Sequence, residues 1–155
     1  MTILKIVVLI LVVILVGMFL RTMQLTTSSD EKEFSAGTAT ETPNGLYAGS
    51  AAGPTFTWLG KRFDASKGTG INVFSNTTNS TTDKYPFVFS KAQGVHNNMQ
   101  VIAIDYNLPQ NPWYLRLVLD EIVATAPGYY LGKLQLRIIP GYPFTMTFFR
   151  LSKNI

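Results

Sequence analysis

The chain is predicted to be mainly β: a single N-terminal transmembrane helix, then an antiparallel, barrel-like domain of about eight strands with one short helix. Two observations lead to this prediction. Residues 3–20 are apolar except for Lys5. After Pro43, short apolar and aromatic runs are separated by Gly, Pro, Asn and Asp about every ten residues, which is typical of all-β domains. The 155 residues therefore divide into an anchor at 1–21, a flexible linker at 22–43 and an extramembrane β-barrel-like domain at 44–155.

The N-terminal segment is predicted to be an uncleaved signal anchor. At 1.5 Å per residue, residues 3–20 form a helix of about 27 Å, close to the roughly 30 Å thickness of the hydrocarbon core of a bilayer. The apolar run ends in Phe19, Leu20 and Arg21 rather than in the small residues of a cleavage site. The side chains expected to hold the anchor in lipid include Ile3, Val8, Leu11, Leu15 and Leu20.

The charges beside the span favour an N-terminus in the cytoplasm. Lys5 and the α-amino group precede the span and Arg21 follows it. The predicted location is the inner or cytoplasmic membrane, single-pass, with the C-terminal domain on the periplasmic or extracellular side. Residues 22–43 are rich in Ser, Thr, Ala and Gly and have no period that would bury a face, so they are predicted to be a flexible linker.

Eight strands are predicted where apolar and aromatic runs are bounded by turn residues. They span residues 45–51, 56–64, 69–75, 85–92, 99–106, 120–126, 129–139 and 144–152. Pro127 and Gly128 separate the sixth strand from the seventh and predict a hairpin. The loop after the third strand has Asn-x-Ser/Thr sequons at Asn76 and Asn79 and is predicted to be an exposed tip.

The seventh strand has the clearest alternation, because side chains two residues apart in a strand share a face. The face expected to be buried carries Tyr130, Gly132, Leu134, Leu136 and Ile138. The face expected to meet water carries Lys133, Gln135 and Arg137. The strand is therefore predicted to be buried on one side only.

A short helix is predicted between the fifth and sixth strands, from 112 to about 119. Asn111 is suited to an N-cap and Pro112 to the first helical position. Arg116 and Asp120 would then form an i, i+4 pair on the helix surface. The expected role of this helix is to cover one end of the sheet.

Residues that carry catalytic or metal chemistry are scarce. There is one histidine, His96, in a polar turn, and there is no cysteine, so no metal site is predicted. Neither a G-x-S-x-G nucleophile motif nor a phosphate-binding glycine loop occurs. Asp120 and Glu121 are neighbours and would point to opposite faces of a strand. The chain is predicted not to be an enzyme and to need no cofactor.

Charge is the more informative feature of the extramembrane domain. From residue 43 onward there are ten Lys and Arg against five Asp and Glu. Anionic lipid headgroups or an acidic protein surface are the expected partners, and a basic surface with no partner remains an equal alternative. Nucleic acid is not expected, because the domain faces away from it in the predicted orientation. The residues proposed for this interaction surface are Lys61, Arg62, Lys133 and Arg137.

Two resemblances accompany these patterns. The blocks GLYAG, WLGKRFD, TGINVF, IDYNLPQNPWYLR and DEIVATAPGYYLGKLQLR resemble a family of small bacterial proteins over most of residues 45–138, a resemblance that implies no activity. Eight antiparallel strands, with Trp58 early and Arg150 on the last strand, are also similar to lipocalin-like (calycin-type) barrels. That similarity implies that Trp58 packs under Arg150 as a barrel-closing pair, although the lipocalin G-x-W spacing is absent.

Two functions are compatible with these residues. In the first, the protein is a noncatalytic, membrane-anchored accessory or structural subunit, whose partners are membrane lipids and integral membrane protein subunits. In the second, it is a tethered, lipocalin-like carrier that binds an apolar small molecule such as a lipid, a quinone or a pigment. The sequence does not separate the two.

Overall fold

The protein folds into an eight-stranded barrel with two helices on its outer side. The computed structural model describes residues 2–51, 57–76 and 80–153. In chain order the elements are α1 (Ile3–Thr26), α2 (Ser29–Ala36), β1 (Gly45–Ala51), β2 (Trp58–Asp64), β3 (Thr69–Ser75), β4 (Thr81–Gln93), β5 (Gln100–Asp105), a 3₁₀ turn (Leu115–Leu117), β6 (Val118–Ala126), β7 (Tyr129–Ile139) and β8 (Tyr142–Lys153).

The eight strands pair in sequence order, all antiparallel, and β8 closes on β1. This confirms the predicted mainly-β class, the strand count and the N-terminal helix. Residue 56, the predicted start of the second strand, lies outside the described residues, as does most of the predicted tip, at 77–79. Successive antiparallel strands place their connections at alternate ends of the barrel. One end, here called the loop end, carries the connections that follow β1, β3, β5 and β7; the other, the turn end, carries 65–68 and 127–128. The connection at 94–99 lies against the outer wall, where Val95 bonds Glu121 and His96 lies beside Tyr142.

Aromatic side chains fill most of the barrel interior. Phe63 lies at the centre, with ring centroids 5.7 Å from Tyr47, 5.4 Å from Phe87 and 5.2 Å from Phe89. The bulk of these rings requires a glycine opposite at some positions: a Cβ added at Gly132 would lie 2.2 Å from a ring carbon of Phe149. The strand alternation thus directs large apolar residues inward at every second position.

The outer wall formed by β5 to β8 has a second apolar cluster, which α2 covers. Phe34 of α2 is fully buried and packs beside Val123, Leu131 and Phe148. Ser28 caps the helix by accepting a hydrogen bond from the Glu31 N–H, at 3.1 Å. This corrects the prediction of a flexible linker over residues 22–43. The capping serine and the Phe34 ring hold the segment on the barrel, together with ion pairs from Lys133 and Arg150.

The first helix, α1, extends beyond the barrel at the loop end. It is long and apolar enough to cross a membrane, and its large apolar side chains from residue 3 to residue 14 are 41–82 % exposed. Its last turns pack on β8, where Met18, Thr22 and Leu25 are buried. Arg21 Nε donates to the Met146 carbonyl at 3.2 Å and Thr22 Oγ1 to the Thr145 carbonyl at 3.4 Å.

The helix predicted at 112–119 is wrong. Only Leu115–Leu117 form a 3₁₀ turn, and β6 begins directly at Val118. The run VLDEIV continues as a strand because its alternate residues Val118 and Ile122 are buried in the barrel interior. Arg116 bonds the carbonyls of Asn111 and Pro109 at 3.1 and 2.6 Å.

The two side-chain roles tied to that helix change accordingly. Asp120 lies inside the barrel, so the predicted pair with Arg116 does not form. Asn111 caps no helix. Its amide donates instead to the carbonyls of Pro86 and Tyr106, at 2.7 and 2.8 Å, and so closes the loop against the barrel.

Candidate ligand-binding site

A cavity of about 380 Å³ occupies the barrel interior at the loop end. Its walls are mainly apolar, because the strands present large side chains near their loop-end termini. Four of its polar side chains are joined to one another by hydrogen bonds. The apolar lining consists mainly of Ala51, Trp58, Phe74, Tyr85, Leu115, Val118, Leu134 and Phe149, and the polar lining consists of the connected Lys61, Asn72, Tyr106 and Asp120 together with Thr147.

Lys61 and Asp120 form a buried ion pair in this wall. The Lys61 Nζ lies 3.0 Å from the Asp120 Oδ2, and the two residues are 3 % and 2 % exposed. The same ammonium donates to the Asn72 Oδ1 at 3.0 Å and to the Tyr106 hydroxyl. An ammonium has three N–H donors, so all the donors of Lys61 are engaged within the barrel.

Asn72 connects the ion pair to the rest of the cavity wall. Its Oδ1 accepts from the Trp58 indole N–H at 3.1 Å, and its Nδ2 donates to the Tyr85 carbonyl and the Tyr106 hydroxyl, each at 3.1 Å. Tyr85 has a φ of 61°, and the β3–β4 register shifts beside it. Such a bulge changes the direction of a side chain, and here Tyr85 lines the cavity.

Four aromatic rings surround the ammonium of Lys61. The Nζ lies 5.1 Å from the ring centroid of Tyr106, 5.2 Å from Phe149, 5.4 Å from Phe87 and 5.5 Å from Trp58. Cation–π attraction acts within about 6 Å of a centroid. The rings therefore offset part of the free energy that the ammonium loses on leaving water.

Burial controls the ionisation of this cluster. It lowers the pKa of Lys61 and raises the pKa of Asp120, because both charged forms are removed from water, and their mutual attraction opposes each shift. Burial, followed by the neighbouring Asp120 charge, raises the pKa of Tyr106 well above its ordinary value. The Tyr106 phenol is therefore a hydrogen-bond donor throughout the physiological range, and it donates to Asp120 Oδ2 at 3.2 Å.

One acceptor in this wall is unused. The second carboxylate oxygen of Asp120, Oδ1, is buried and has no hydrogen-bond partner among the described residues. A buried polar atom without a partner costs about 1–3 kcal/mol, and more for a charged group. The cavity therefore combines apolar walls with a buried carboxylate, one oxygen of which has no partner among the described residues.

The residues predicted as a basic interaction surface do not form one. Lys61 is inside the barrel, and Lys133 is 1 % exposed beneath α2, so both predictions are corrected. Gln135, predicted on the same wet face, is fully buried. Arg62 remains at the surface in an ion pair with Asp83. Arg137 is partly buried and bonds both oxygens of Asp105, at 3.1 and 2.5 Å.

The predicted barrel-closing pair of Trp58 and Arg150 is also wrong. Trp58 lines the interior, with its ring centroid 5.9 Å from Phe149. Arg150 follows Phe149 on β8 and so points outward, where it bonds Asp30 at 2.8 Å and Glu33 at 2.7 and 2.8 Å. The cation that lies over the Trp58 ring is Lys61, and Arg150 instead fastens α2 to the barrel.

The carboxylates Asp120 and Glu121 point to opposite faces, as predicted. Glu121 lies outside the barrel wall, where it accepts from the Val95 N–H at 2.7 Å and from the Gln135 amide at 2.8 Å. His96 lies beside Tyr142, with ring centroids 5.8 Å apart. Within the described ranges, no three His, Cys, Asp or Glu side chains are grouped as a metal site would require.

The predicted anchor residues all lie on α1. Leu15 lies beside Ile139 and Tyr142 of the β7–β8 hairpin. The other four are well exposed, at 82 % for Ile3, 51 % for Val8, 55 % for Leu11 and 60 % for Leu20.

Comparison with known proteins shows the architecture alone. No protein-family model matches the chain, and no curated protein matches it either. A solved structure described as a protein from Thermomonospora curvata is similar in fold, with a TM-score of 0.57 and 12 % sequence identity. The similarity covers 81 % of this chain and 85 % of that chain.

Proposed function

We propose that this protein is a noncatalytic, membrane-anchored binding protein whose barrel holds one small apolar molecule carrying a hydrogen-bond donor. The observation that carries the proposal is the buried Oδ1 of Asp120, which has no hydrogen-bond partner among the described residues and belongs to a side chain that lines an apolar cavity. A ligand hydroxyl or N–H there would satisfy the buried acceptor, and the aromatic walls would receive the apolar part of the ligand. This is the carrier function with a defined class of ligand, and the proposal includes a lipocalin-like role for the barrel.

The size of the cavity limits the ligand. At about 380 Å³, it lies at the small end of the roughly 300–1,000 Å³ that is usual for ligand pockets. A molecule of one or two rings fits this volume better than a complete two-chain lipid. Trp58, Phe74, Tyr85 and Phe149 line the cavity and favour a flat, aromatic ligand by ring packing.

The hydrogen-bonding groups discriminate further among the expected ligands. A quinone offers only acceptors, yet all three donors of Lys61 are already engaged. A phenol, a quinol or an alcohol offers the donor that Asp120 lacks. The proposed ligand class is therefore a small, uncharged, hydroxyl-bearing ring compound rather than a quinone.

The proposed location follows from α1. A helix of this length whose apolar side chains are exposed all along residues 3–14 is stabilised by lipid. We keep the single-pass topology, with the barrel outside the cytoplasmic membrane, as part of the proposal. Reactivity of single introduced cysteines toward a membrane-impermeant maleimide in intact cells tests the side on which the barrel lies.

Ligand binding can be measured through Trp58, because the chain has only two tryptophans. In a Trp113→Phe variant of the full chain in nanodiscs, Trp58 is the sole reporter. The two probes are 4-propylphenol, which has a donor hydroxyl, and 4-propylanisole, which has none. The phenol is expected to change Trp58 emission at a concentration at least about tenfold lower than the anisole requires. The reason is that a hydrogen bond to a charged group contributes about 1.5–3 kcal/mol.

A matched pair of variants separates the cavity from the surface. Leu134→Phe fills the cavity wall, whereas Leu46→Phe places the same ring on the outer face, where Leu46 is 43 % exposed. Only the first is expected to abolish phenol binding. Equal binding of the two probes, or binding that survives Leu134→Phe, contradicts the proposal.

The accessory-subunit hypothesis is the second candidate, and one observation favours it. Gly17 of α1 lies away from the barrel, and a Cβ added there meets no atom within 4 Å. A small residue on an open face lets a second helix approach closely. Copurification in mild detergent of stoichiometric membrane subunits, lost in Gly17→Leu but not in Val16→Leu, would support this function. Purification as a monomer would contradict it.

A further inference from the structure

The loop end of the barrel carries an unusual set of exposed apolar side chains. Trp113 is 75 % exposed and Tyr114 51 % exposed, both in the connection before β6. Ile138 and Ile139, at the end of β7, are 45 % and 39 % exposed. All four residues lie at the end of the barrel where the cavity is located.

The same end is the one from which α1 leaves the barrel. The Phe19 ring lies 6.3 Å from the Tyr142 ring, and Leu15 and Val16 lie with Phe19 beside Ile139 and Tyr142. Further down the helix, Arg21 contacts Met146. Moving from Arg21 toward the N-terminus, α1 therefore passes the β7–β8 hairpin and continues beyond the loop end.

This packing sets the depth of the hairpin relative to the span. Leu15 precedes Arg21 by six residues, or about 9 Å along the helix. If Arg21 is held at the headgroups, side chains level with Leu15 and Phe19 are in the apolar layer. The tip at Ile139 and Tyr142 is therefore within the depth of the acyl chains next to the headgroups.

We infer that the loop end of the barrel docks on the bilayer that α1 crosses, with Trp113 and Tyr114 in the interface and the Ile138–Tyr142 tip among the acyl chains. The inference rests on the membrane anchoring in the proposed function. Trp and Tyr are enriched at membrane interfaces, where one end of the ring is apolar and the other wet. Lipid is the occupant because α1, which is long and apolar enough to cross a membrane, passes the β7–β8 hairpin at this same end of the barrel.

This docking has a consequence for the cavity. The cavity lies at the loop end, so it faces the bilayer rather than the aqueous phase. An apolar ligand that partitions into lipid would then reach the barrel without crossing water. The opposite orientation, with the turn end toward the membrane, would instead bury the charged turn that contains Asp64 and Lys67.

The absence of cysteine from the chain allows a direct test with the full protein in nanodiscs. Single variants Leu11→Cys, Trp113→Cys, Ile139→Cys and Tyr129→Cys are labelled with bimane. Fluorescence is then compared between plain and brominated phosphatidylcholine, whose bromines quench a label in contact with the chains. Tyr129 is the matched control, because it is 50 % exposed but begins β7 at the turn end.

The expected result is a loss of emission at Leu11, Trp113 and Ile139 in brominated lipid, with Tyr129 unchanged. Loss at Leu11 alone would overturn the docking of the rim and leave the anchor intact. No loss at any position would overturn the anchor and the docking together, while the phenol-binding measurement would stand independently. Equal loss at Tyr129 and Trp113 would overturn the proposed orientation.

Discussion

Two buried lysines on opposite faces of the barrel wall have the same kind of partner but a different surrounding. Lys133, on the outside, lies 2.9 and 2.8 Å from the two oxygens of Glu31 and 4.2 Å from the Phe34 ring centroid. Lys61, on the inside, contacts one oxygen of Asp120, and the other oxygen has no partner among the described residues. The first pair is closed by α2, while the second lies beside a cavity.

The difference distinguishes an ion pair whose acceptors are all used from one that leaves an acceptor for the proposed ligand. Around Lys133 both carboxylate oxygens are used, and the pair fastens one helix to the barrel. Around Lys61 the network leaves one acceptor without a partner among the described residues, and it belongs to a residue that lines the cavity. The Lys133 and Lys61 side chains are alike in charge and burial. Their ion pairs differ in whether a polar atom of the pair is left without a partner.

The largest expected effect is from breaking the interior pair. Lys61→Met leaves the Asp120 carboxylate buried and unpaired, which is expected to lower the free energy of unfolding by about 3–5 kcal/mol. Chemical denaturation of the full chain in detergent, followed by circular dichroism, measures the loss. The double variant Lys61→Met/Asp120→Leu is expected to recover most of it, because no charge is then left in the interior. A single variant as stable as the parent would contradict the buried pair.

A smaller loss of unfolding free energy is expected when the lysine on the outside of the barrel, Lys133, is replaced by methionine. Lys133→Met removes the partner of Glu31, but the Glu31 side chain is already 16 % exposed and can turn into water. The expected loss is about 1.5–3 kcal/mol, the range for a hydrogen bond to a charged group. Limited proteolysis should show faster cleavage near α2 in this variant and not in Lys61→Met. Equal cleavage in both would contradict the separate roles.

A still smaller effect is expected at the exposed pair that holds α2. Hydrogen bonds from Arg150 are the main cause that lowers the pKa of Glu33 below 4.5. A carboxylate whose pKa falls on folding adds stability above its unfolded pKa and loses it as the pH drops through the folded value. Arg150→Gln should cost about 0.2–1 kcal/mol at pH 7, and the difference from the parent should vanish in acid. A difference that persists at low pH would contradict the assignment.

The smallest expected effect is the order in which the carboxyl groups of Asp120 and Asp64 take up a proton. Titration of both groups monitored by ¹³C NMR measures it. Burial raises the pKa of Asp120 above 3.8. At the surface, hydrogen bonds from Ser66 and Lys67 lower the pKa of Asp64 to about 2. The interior carboxyl should therefore protonate first as the pH falls. The reverse order would show that the attraction of Lys61, and not burial, dominates the pKa of Asp120.

Much of the fold could be predicted from the sequence, because short alternating strands leave a direct pattern. The bounds of β1, β3 and β7 agree with the predicted ones. The predicted helix at 112–119 failed because its last two residues, Val118 and Leu119, pair with β5 and β7 as the start of β6. The ordering of α2 was missed, although Ser28 and Glu31 have the spacing of a capping box.

The candidate site was less accessible to sequence reasoning. Lys61 is two residues from Phe63 and Asp120 two from Ile122, so alternation alone places both charges on the inner face. That signal was present, but a charged residue is assigned to the surface by default. The ion pair between Lys61 of β2 and Asp120 of β6 crosses the interior, and the cavity lies beside it. Both depend on closure of the barrel, which no local sequence pattern encodes.

Closure also limits how this molecule can associate with others. Where β5 separates from β6, Thr38 takes the open position and exchanges backbone hydrogen bonds with Ala124, at 3.0 and 2.7 Å. Along the described strands, a visiting chain therefore finds no free ladder that it could extend. Copies that meet along these strands would meet through side chains, which protects them from the strand-by-strand aggregation to which open sheets are prone.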